Sequence, residues 1–320
     1  MATIFQTAEW EKFKLKTGWQ KSWRVFDILV LERKIPLLGS MLYSPMMSRD
    51  QTKLAMQKIF LDQIKKIAIE EKSLFYRMES NDEVAGDILP GKSGFAKAFE
   101  EMQPEHTLLI NLTKSEDDIL KEMKQKGRYN IKIAEKNQLA IEKGSVEDFY
   151  QLYQQMAKRQ KISYRSLSYF QALIDNLSPK DYVQVFTAKA RDQITDESRN
   201  YEPNNNTVVQ HDSVLASAII IFYKDSCIYL FGGSSDEQRE KMAPYKLHWE
   251  VMREAKRRGC KFYDMFGIAP TDDEKHPWAG ITRFKKQFGG EEFQSLGSWD
   301  LVFSTAKYKL FKTVEKMRRK

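Results

Sequence analysis

The sequence is poor in the residues that build metal sites and disulfide frameworks. Its 320 residues include two cysteines, Cys227 and Cys260, and four histidines. Two cysteines without metal-type spacing argue against a zinc site or a disulfide scaffold and fit a reducing cytoplasm. None of the histidines stands at ligand spacing from cysteines or carboxylates. We therefore expect a site that works without a metal ion.

Long apolar segments are also missing. The first 14 residues contain no apolar core of a signal peptide. The longest apolar run, residues 214–222, suits a buried strand better than a membrane span. With 42% hydrophobic and 30% charged residues, the composition is that of a globular protein with room for two or three domains. We expect a cytoplasmic protein, and leave attachment to the inner membrane face open.

The common phosphate-binding and nucleophile motifs are absent. There is no Gly-x-Ser-x-Gly, no Walker loop and no Gly-x-Gly-x-x-Gly. A coenzyme A site needs a glycine-rich loop whose backbone N–H groups reach the pyrophosphate. The corresponding stretch, residues 234–244, has no glycine and carries Asp236, Glu237 and Glu240, which would repel an anion. We expect no coenzyme A.

Positive charge, in contrast, is abundant and clustered. The formal net charge is +8. Residues 121–143 carry seven basic and three acidic side chains, and residues 307–320 carry seven basic side chains and one acid. Such blocks attract RNA, nucleotide-sugar phosphates or acidic lipid headgroups. The alternative is a pair of solvated helix faces.

The hydrophobic pattern predicts an α/β (α+β) protein whose two halves each read helix, strands, helix, strand. The polar stretch 191–212 is expected to be a long hairpin loop. We predict one domain over 1–142, completed by 298–320, and a second over 143–297. The predicted elements include a strand at 22–32, a long helix after the cap at Ser115, a helix at 146–158, a helix at 242–258 and a strand at 261–266.

Residues 278–290 read Trp-Ala-Gly-Ile-Thr-Arg-Phe-Lys-Lys-Gln-Phe-Gly-Gly. Glycines permit close backbone approach, and the three cations suit a phosphate or a developing oxyanion. A simpler interpretation is a helix with Phe284 and Phe288 inward and a solvated basic face. The two interpretations are compatible, because such a helix can still aim one lysine into a cleft.

Five motifs in order along the chain resemble the Fem family of tRNA-dependent aminoacyltransferases, which build peptidoglycan interpeptide bridges. The last of them is the stretch 278–290. The other four are Lys-Gly-Arg-Tyr-Asn-Ile-Lys at 126–132, Tyr-Leu-Phe-Gly-Gly-Ser at 229–234, Ala-Pro-Tyr-Lys-Leu-His-Trp at 243–249 and Tyr-Asp-Met-Phe-Gly at 263–267.

The resemblance implies two tandem GNAT-like acyltransferase subdomains packed side by side, with the C-terminal helix returning to the first. It implies aminoacyl-tRNA as co-substrate, without coenzyme A or metal. The acceptor would be UDP-MurNAc-pentapeptide or lipid II. No sustained heptads are present, so the compact form without a coiled-coil arm is expected, as a monomer.

The resemblance also implies site residues. Lys14, with Lys16 nearby, and Arg165 with Tyr169 in the segment that begins at Ser163, would clamp the diphosphate of the acceptor. A guanidinium can donate two parallel hydrogen bonds to phosphate oxygens, and an ammonium adds a point charge. From the sequence alone, Lys14 could equally be an ordinary exposed lysine.

On the catalytic side, the resemblance aligns Lys285, directly after Phe284, with the family's lysine that points at the reacting carbonyl. Glu79 matches an acid near the acceptor, expected to orient rather than act as a base. Tyr229 and Phe231 line the substrate site, with Phe231 where some members have Tyr. A second departure is residues 43–48, Tyr-Ser-Pro-Met-Met-Ser, where members often carry a cation and glycine. His248 is expected to pack.

Two other functions fit the same residues. One is a basic RNA- or envelope-binding protein without catalysis. The other is an aminoacyltransferase that acts on protein N-termini.

Overall fold

A computed structural model describes residues 3–83, 90–160, 162–195 and 208–318. The chain divides into two compact units, each built from separate segments. Unit 1 comprises Met1–Thr107, Gly267–Ala279 and Glu292–Lys320. Unit 2 comprises Leu108–Phe266 and Gly280–Glu291. The predicted α/β class is confirmed.

Unit 1 is built on a mixed sheet with strand order β1-β2-β3-β4-β12. The pair β3–β4 is parallel, and the other neighbours are antiparallel. A short strand, β5, pairs with β12. The elements are α1 Ala8–Lys16, β1 Lys21–Val25, β2 Ile28–Ile35, β3 Gly39–Met47, α2 Arg49–Ala55, α3 Lys58–Glu70, β4 Ser73–Glu83, β5 Ala96–Lys97, β12 Glu291–Val302 and α10 Thr305–Arg318.

The single strand predicted at 22–32 is wrong. The chain turns at Phe26 and Asp27, whose φ angles are +49° and +64°, and β1 pairs back onto β2 with Val25 opposite Ile28. Two consecutive positive φ values are the geometry of a tight hairpin turn. The continuous β-type composition hid this turn, because it contains no glycine.

The C-terminal helix belongs to unit 1, as predicted. Its Tyr308 and Phe311 rings lie 5.1 and 5.4 Å from the Phe75 ring of β4. The Tyr308 hydroxyl donates to Asp300 at 2.6 Å, and Asp300 receives two hydrogen bonds from the fully buried Arg77. Pairing satisfies the buried charges, so this contact fixes α10 on the sheet.

The strands of unit 2 are hydrogen-bonded in the order β6-β11-β10-β9-β8-β7. The pair β10–β11 is parallel, whereas β7–β8, β8–β9 and β9–β10 are antiparallel. The elements are β6 His106–Asn111, α4 Glu116–Glu122, α5 Gln125–Lys136, β7 Ala140–Lys143, α6 Val146–Gln160, α7 Leu167–Leu177, β8 Val183–Thr195, β9 Val208–Tyr223, β10 Ser226–Ser234, α8 Ala243–Arg257, β11 Phe262–Gly267 and α9 Ala279–Lys285, followed by a 3₁₀ turn Lys286–Phe288.

The boundary between the units lies at Thr107 and differs from the predicted boundary at 142. Strand β6 lies beside β11, and α5 packs against α8, so residues 108–142 fold with unit 2. The long helix predicted after Ser115 begins there, since the Ser115 hydroxyl accepts from the Asp118 N–H at 3.1 Å. It is interrupted at Met123 and Lys124, whose extended backbone separates α4 from α5.

The described parts of the predicted hairpin loop 191–212, residues 191–195 and 208–212, are strand. Backbone pairing of β8 and β9 continues through Arg191 and Asp212 to Thr195 and Val208. Residues 196–207 lie outside the described residues. Among the described residues, no helix is both long and apolar enough to cross a membrane.

Candidate active site

The stretch 278–290 forms α9 and the 3₁₀ turn, and Lys285 ends the helix. Phe288 is fully buried, and Lys285 is only 6% exposed. The interpretation with a fully solvated basic face is therefore wrong at Lys285. Gly127 of α5 explains part of this placement, because a Cβ there would collide with the backbone oxygen of Gln287. Only glycine lets α5 approach the turn so closely.

The Lys285 ammonium lies in an aromatic and largely apolar environment. Its Nζ is 5.5 Å from the centroid of the Tyr229 ring. Burial lowers the pKa of Lys285 to about 8, while the nearby Asp264 carboxylate acts in the opposite direction. A desolvated cation interacts with a developing negative charge more strongly than a hydrated one does. Lys285 is thus suited to stabilise an oxyanion.

His248 of α8 packs against the same ring of Tyr229, with centroids 4.5 Å apart and planes at 87°. Its Nδ1 is 2.7 Å from the Tyr263 hydroxyl, and both side chains are buried. Burial, with a smaller effect from the charge of Lys285, lowers the pKa of His248 to about 3. His248 is therefore neutral near pH 7, and it packs beside Lys285 as the sequence predicts.

Tyr229 owes its position to a bulge and a glycine. The β9–β10 register shifts between Tyr229 and Phe231. A Cβ at Gly232 would collide with the Tyr229 hydroxyl and ring. Burial also raises the pKa of Tyr229 to about 12. The bulge and Gly232 of the Tyr-Leu-Phe-Gly-Gly motif thus place the Tyr229 ring against Lys285.

Asp264 completes the surroundings of Lys285. Its carboxylate accepts a hydrogen bond from the Phe266 N–H at 2.7 Å, at the end of β11, where Phe266 has a φ of +61°. Sequence reasoning did not assign a role to Asp264 or Tyr263, although both lie in the motif at 263–267. An acid inside an otherwise apolar and aromatic strand, three residues before Gly267, was the available signal.

Arg165 and Tyr169, which the resemblance pairs, lie together in unit 2. The Arg165 guanidinium lies 4.3 Å from the centroid of the Tyr169 ring, and Arg165 is exposed. The Tyr169 ring makes an edge contact with Phe231 at 6.3 Å. Ser163, two residues before Arg165, is exposed. An exposed guanidinium stacked on an aromatic face keeps its donors available for a phosphate.

Lys14 lies in unit 1 and is 8% exposed. Its Nζ is within 5.5–5.9 Å of the ring centroids of Trp10, Phe13 and Trp19. The alternative of an ordinary exposed lysine is therefore wrong for Lys14, although it describes Lys16, which is exposed. Rings on several sides hold an ammonium by cation–π attraction.

Glu79 is 1% exposed in the middle of unit 1. It accepts hydrogen bonds from the Ser298 hydroxyl at 2.7 Å, from the backbone N–H groups of Met102 and Gln103 at 2.8 and 3.0 Å, and from the Tyr43 hydroxyl. Burial raises the pKa of Glu79 despite these donors. With its oxygens occupied and enclosed, Glu79 is placed to position neighbouring groups.

The exposed face of α5 carries part of the basic block 121–143. Lys126 and Lys132 are exposed around Tyr129, which is 63% exposed. With Gln125 and Arg128, these residues line an open groove of about 420 Å³. We name Lys126, Tyr129 and Lys132 the α5 surface. Cations around an exposed aromatic ring are the pattern that binds single-stranded nucleic acid ends.

The turn before α8 has no glycine, and Met242 precedes the helix with a φ of +55°. The Asp236 carboxylate pairs with Arg159 and Arg239, which offsets the repulsion expected from that acid. Within the described ranges, no group of three His, Cys, Asp or Glu side chains could hold a metal ion. Both cysteines are buried and free.

The predicted site residues of unit 2 form two groups, around Lys285 and around Arg165, and those of unit 1 form two others, around Lys14 and around Glu79. Phe231 and Tyr229 lie on the same strand, β10, so each contributes to one group of unit 2. Phe284 is half-buried and contacts Tyr245 at a centroid distance of 5.2 Å. Phe284 therefore supports the turn that carries Lys285.

Comparison with known proteins gives concordant matches. The model of the FemAB family matches residues 92–208 and 187–316. Lipid II:glycine glycyltransferase of Staphylococcus haemolyticus is 24% identical over 381 residues, covering 98% of this chain and 91% of the relative. The enzyme of the same name from Staphylococcus aureus is 22% identical, with the same coverage.

Solved structures agree on the fold. The crystal structure of FemX superposes with a TM-score of 0.79 at 21% identity, covering 97% of this chain and 94% of that one. The C-terminal domain of a putative lysylphosphatidylglycerol synthetase from Agrobacterium fabrum gives a TM-score of 0.55 at 9% identity, covering 96% and 92%.

Proposed function

Because the chain belongs to the FemAB family, we propose that it transfers an amino acid from aminoacyl-tRNA to an amine of a peptidoglycan-precursor stem peptide. The names of the staphylococcal relatives support lipid II as the acceptor. The soluble UDP-MurNAc-pentapeptide is the alternative form. The observation that carries the proposal is the buried Lys285 ammonium, held against Tyr229 at the end of α9.

The reaction needs positioning more than activation. The ester of aminoacyl-tRNA is already activated, so we propose that neither coenzyme A, ATP nor a metal takes part. The acceptor amine forms a bond to the ester carbonyl carbon, the C–O bond to the ribose breaks, and the ribose oxygen leaves with a proton. The protein holds amine and ester in attack geometry and stabilises the tetrahedral oxyanion. No covalent enzyme intermediate is required.

Lys285 supplies the charge for that oxyanion. With a pKa of about 8, roughly nine in ten Lys285 side chains are protonated at pH 7. The carbonyl oxygen becomes negative only as the amine attacks, so the attraction is stronger in the transition state than in the ground state. The neutral His248 and the ring of Tyr229 hold the ammonium without neutralising its charge, and the nearby Asp264 carboxylate favours its protonated form.

In this proposal, Lys14 and Arg165 bind the acceptor. The aromatic rings around Lys14 hold its ammonium in one place, and stacking on Tyr169 holds the Arg165 guanidinium. Charges fixed in advance lose little side-chain entropy when they bind a diphosphate. Glu79 then acts as a positioning residue through its hydrogen bond with Tyr43.

The α5 surface is the proposed contact for the tRNA. Exposed lysines neutralise backbone phosphates, and the Tyr129 ring can stack on an unpaired base. Charged tRNA is found in the cytoplasm, so we place the reaction there, on a monomeric enzyme.

Incubation of the protein with a pool of aminoacylated tRNAs and each acceptor, followed by mass spectrometry of the stem peptide, tests the function. We expect one added amino acid, and no addition when the tRNA is deacylated beforehand. Addition to a protein N-terminus instead would identify the alternative transferase. Binding of RNA and precursor without transfer to either acceptor would show a binding protein and contradict the proposal.

A further inference from the structure

Within the part of the chain that the structure describes, one apolar face of α10 packs on unit 1 and a second apolar face is exposed. Tyr308 and Phe311 are buried against β4. Leu310, Val314 and Met317 remain 52%, 37% and 63% exposed. Their spacing of four and three residues places them on one side of the helix. We call these three side chains the outer stripe.

Exposed lysines flank the outer stripe on both sides. At about 100° per residue, Lys307 lies on one side of the stripe, and Lys309 and Lys316 lie on the other. All three are exposed. An apolar stripe between two rows of cations is the arrangement of helices that lie in the plane of a membrane surface.

A second exposed apolar residue lies close to this helix. Leu37, in the turn between β2 and β3, is fully exposed and has a φ of +66°. The Lys307 ammonium donates to the backbone oxygen of Leu38 at 3.0 Å, so the turn adjoins the beginning of α10. Leu37 and the outer stripe thus belong to one region of unit 1.

We propose that α10 and the Leu37 turn dock unit 1 onto an anionic lipid bilayer. Aliphatic side chains gain free energy by entering the acyl boundary, and the flanking lysines match negative headgroups. RNA is a poorer fit, because its bases stack on aromatic rings and the stripe is aliphatic. A second copy of the chain fits less well too, since a two-fold contact through the stripe would bring its lysines together.

Co-sedimentation of the full chain with vesicles tests this docking. We expect binding to vesicles of phosphatidylglycerol and phosphatidylcholine at low salt, and little binding to phosphatidylcholine alone. Leu310→Ser/Met317→Ser should lower the partition coefficient about tenfold. Lys309→Glu/Lys316→Glu should lower it at least about 25-fold, because each basic residue near an anionic surface contributes about a factor of five.

Ile59→Ser/Ile162→Ser is the matched control, because these side chains are 55% and 48% exposed on other parts of the surface. The control should bind as the wild type does, with circular dichroism and melting temperature checked for every variant. Absent binding to anionic vesicles would overturn the proposal, as would equal losses in the stripe variant and the control. Concentration-dependent dimers abolished by the stripe variant would assign the face to a second copy. The vesicles contain no peptidoglycan precursor, so the outcome is independent of the proposed reaction.

Discussion

The buried charge of Lys285 is expected to lower the free energy of unfolding of the protein. The ammonium is 6% exposed, and burial lowers its pKa from an ordinary value of 10.5 to about 8. Each pKa unit corresponds to about 1.4 kcal/mol, so holding the charged form in unit 2 costs about 3 kcal/mol. Lys285→Met keeps most of the side-chain volume and removes the charge. We therefore expect Lys285→Met to raise the free energy of unfolding at pH 7 by up to about 3 kcal/mol.

The lowered pKa of Lys285 also predicts how the stability difference between the two proteins varies with pH. Between pH 8 and pH 10.5 the unfolded chain binds a proton at Lys285 that the folded chain has released, so wild-type stability rises with pH in that window. The penalty is present in full below pH 8 and disappears above pH 10.5. The advantage of Lys285→Met should accordingly be largest at neutral pH and shrink as the pH approaches 10.5.

Urea unfolding followed by circular dichroism at several pH values between 7 and 10.5 measures the difference between the two proteins. Lys286→Met is the matched control, because Lys286 is half-buried, one residue further along, and should change stability by less than about 0.5 kcal/mol. A Lys285→Met protein that is less stable than the wild type at pH 7 would show that Lys285 is a structural residue. A difference that does not vary with pH would refute the assigned pKa.

The remaining predictions concern binding and positioning. Lys14→Ala and Arg165→Ala should each raise KM for the acceptor about tenfold or more, since a charge-assisted contact contributes about 1.5–3 kcal/mol. An unchanged KM in both variants would remove these residues from the site. Gly232→Ala should displace Tyr229, lower kcat and reduce the free energy of unfolding by about 1–3 kcal/mol. The control Gly280→Ala should be tolerated, because the space around its Cβ is open. Equal kcat and stability in the two variants would contradict the role of the bulge. The affinity for tRNA should fall steeply as the salt concentration rises, and this salt dependence should be weaker when the lysines of the α5 surface are replaced by neutral residues. An affinity that does not vary with salt would show that those lysines are only solvated and do not contact tRNA. Calorimetry should detect no saturable binding of acetyl-coenzyme A.

Much of the fold follows from local sequence signals. Periodic apolar residues and the break at Gly259 predict α8 within one residue at each end. Ser115 marks the start of α4 by its cap. These elements are predictable because their signals act over a few neighbouring residues. The turn at Phe26 and Asp27 is missed because non-glycine residues adopt its positive φ values only in the folded hairpin.

The site is less predictable than the fold, because its chemistry depends on long-range packing. The motif at 278–290 points to Lys285, yet its burial depends on Gly127 and Tyr229, which come from distant parts of unit 2. In the sequence, Glu79 resembles an ordinary acid at the end of a strand. The structure shows that it is enclosed, because it accepts hydrogen bonds from four donors on separate segments of the chain.

The transfer rate of Lys285 variants tests the central claim most directly. Single-turnover transfer from aminoacyl-tRNA to lipid II at pH 7 should be about 10²–10³-fold slower in Lys285→Met than in the wild type, with Lys286→Met close to the wild type. Wild-type transfer should also lose a Lys285-dependent contribution as pH rises through about 8, and Lys285→Arg, which stays charged, should not. Full-rate transfer by Lys285→Met would contradict the account.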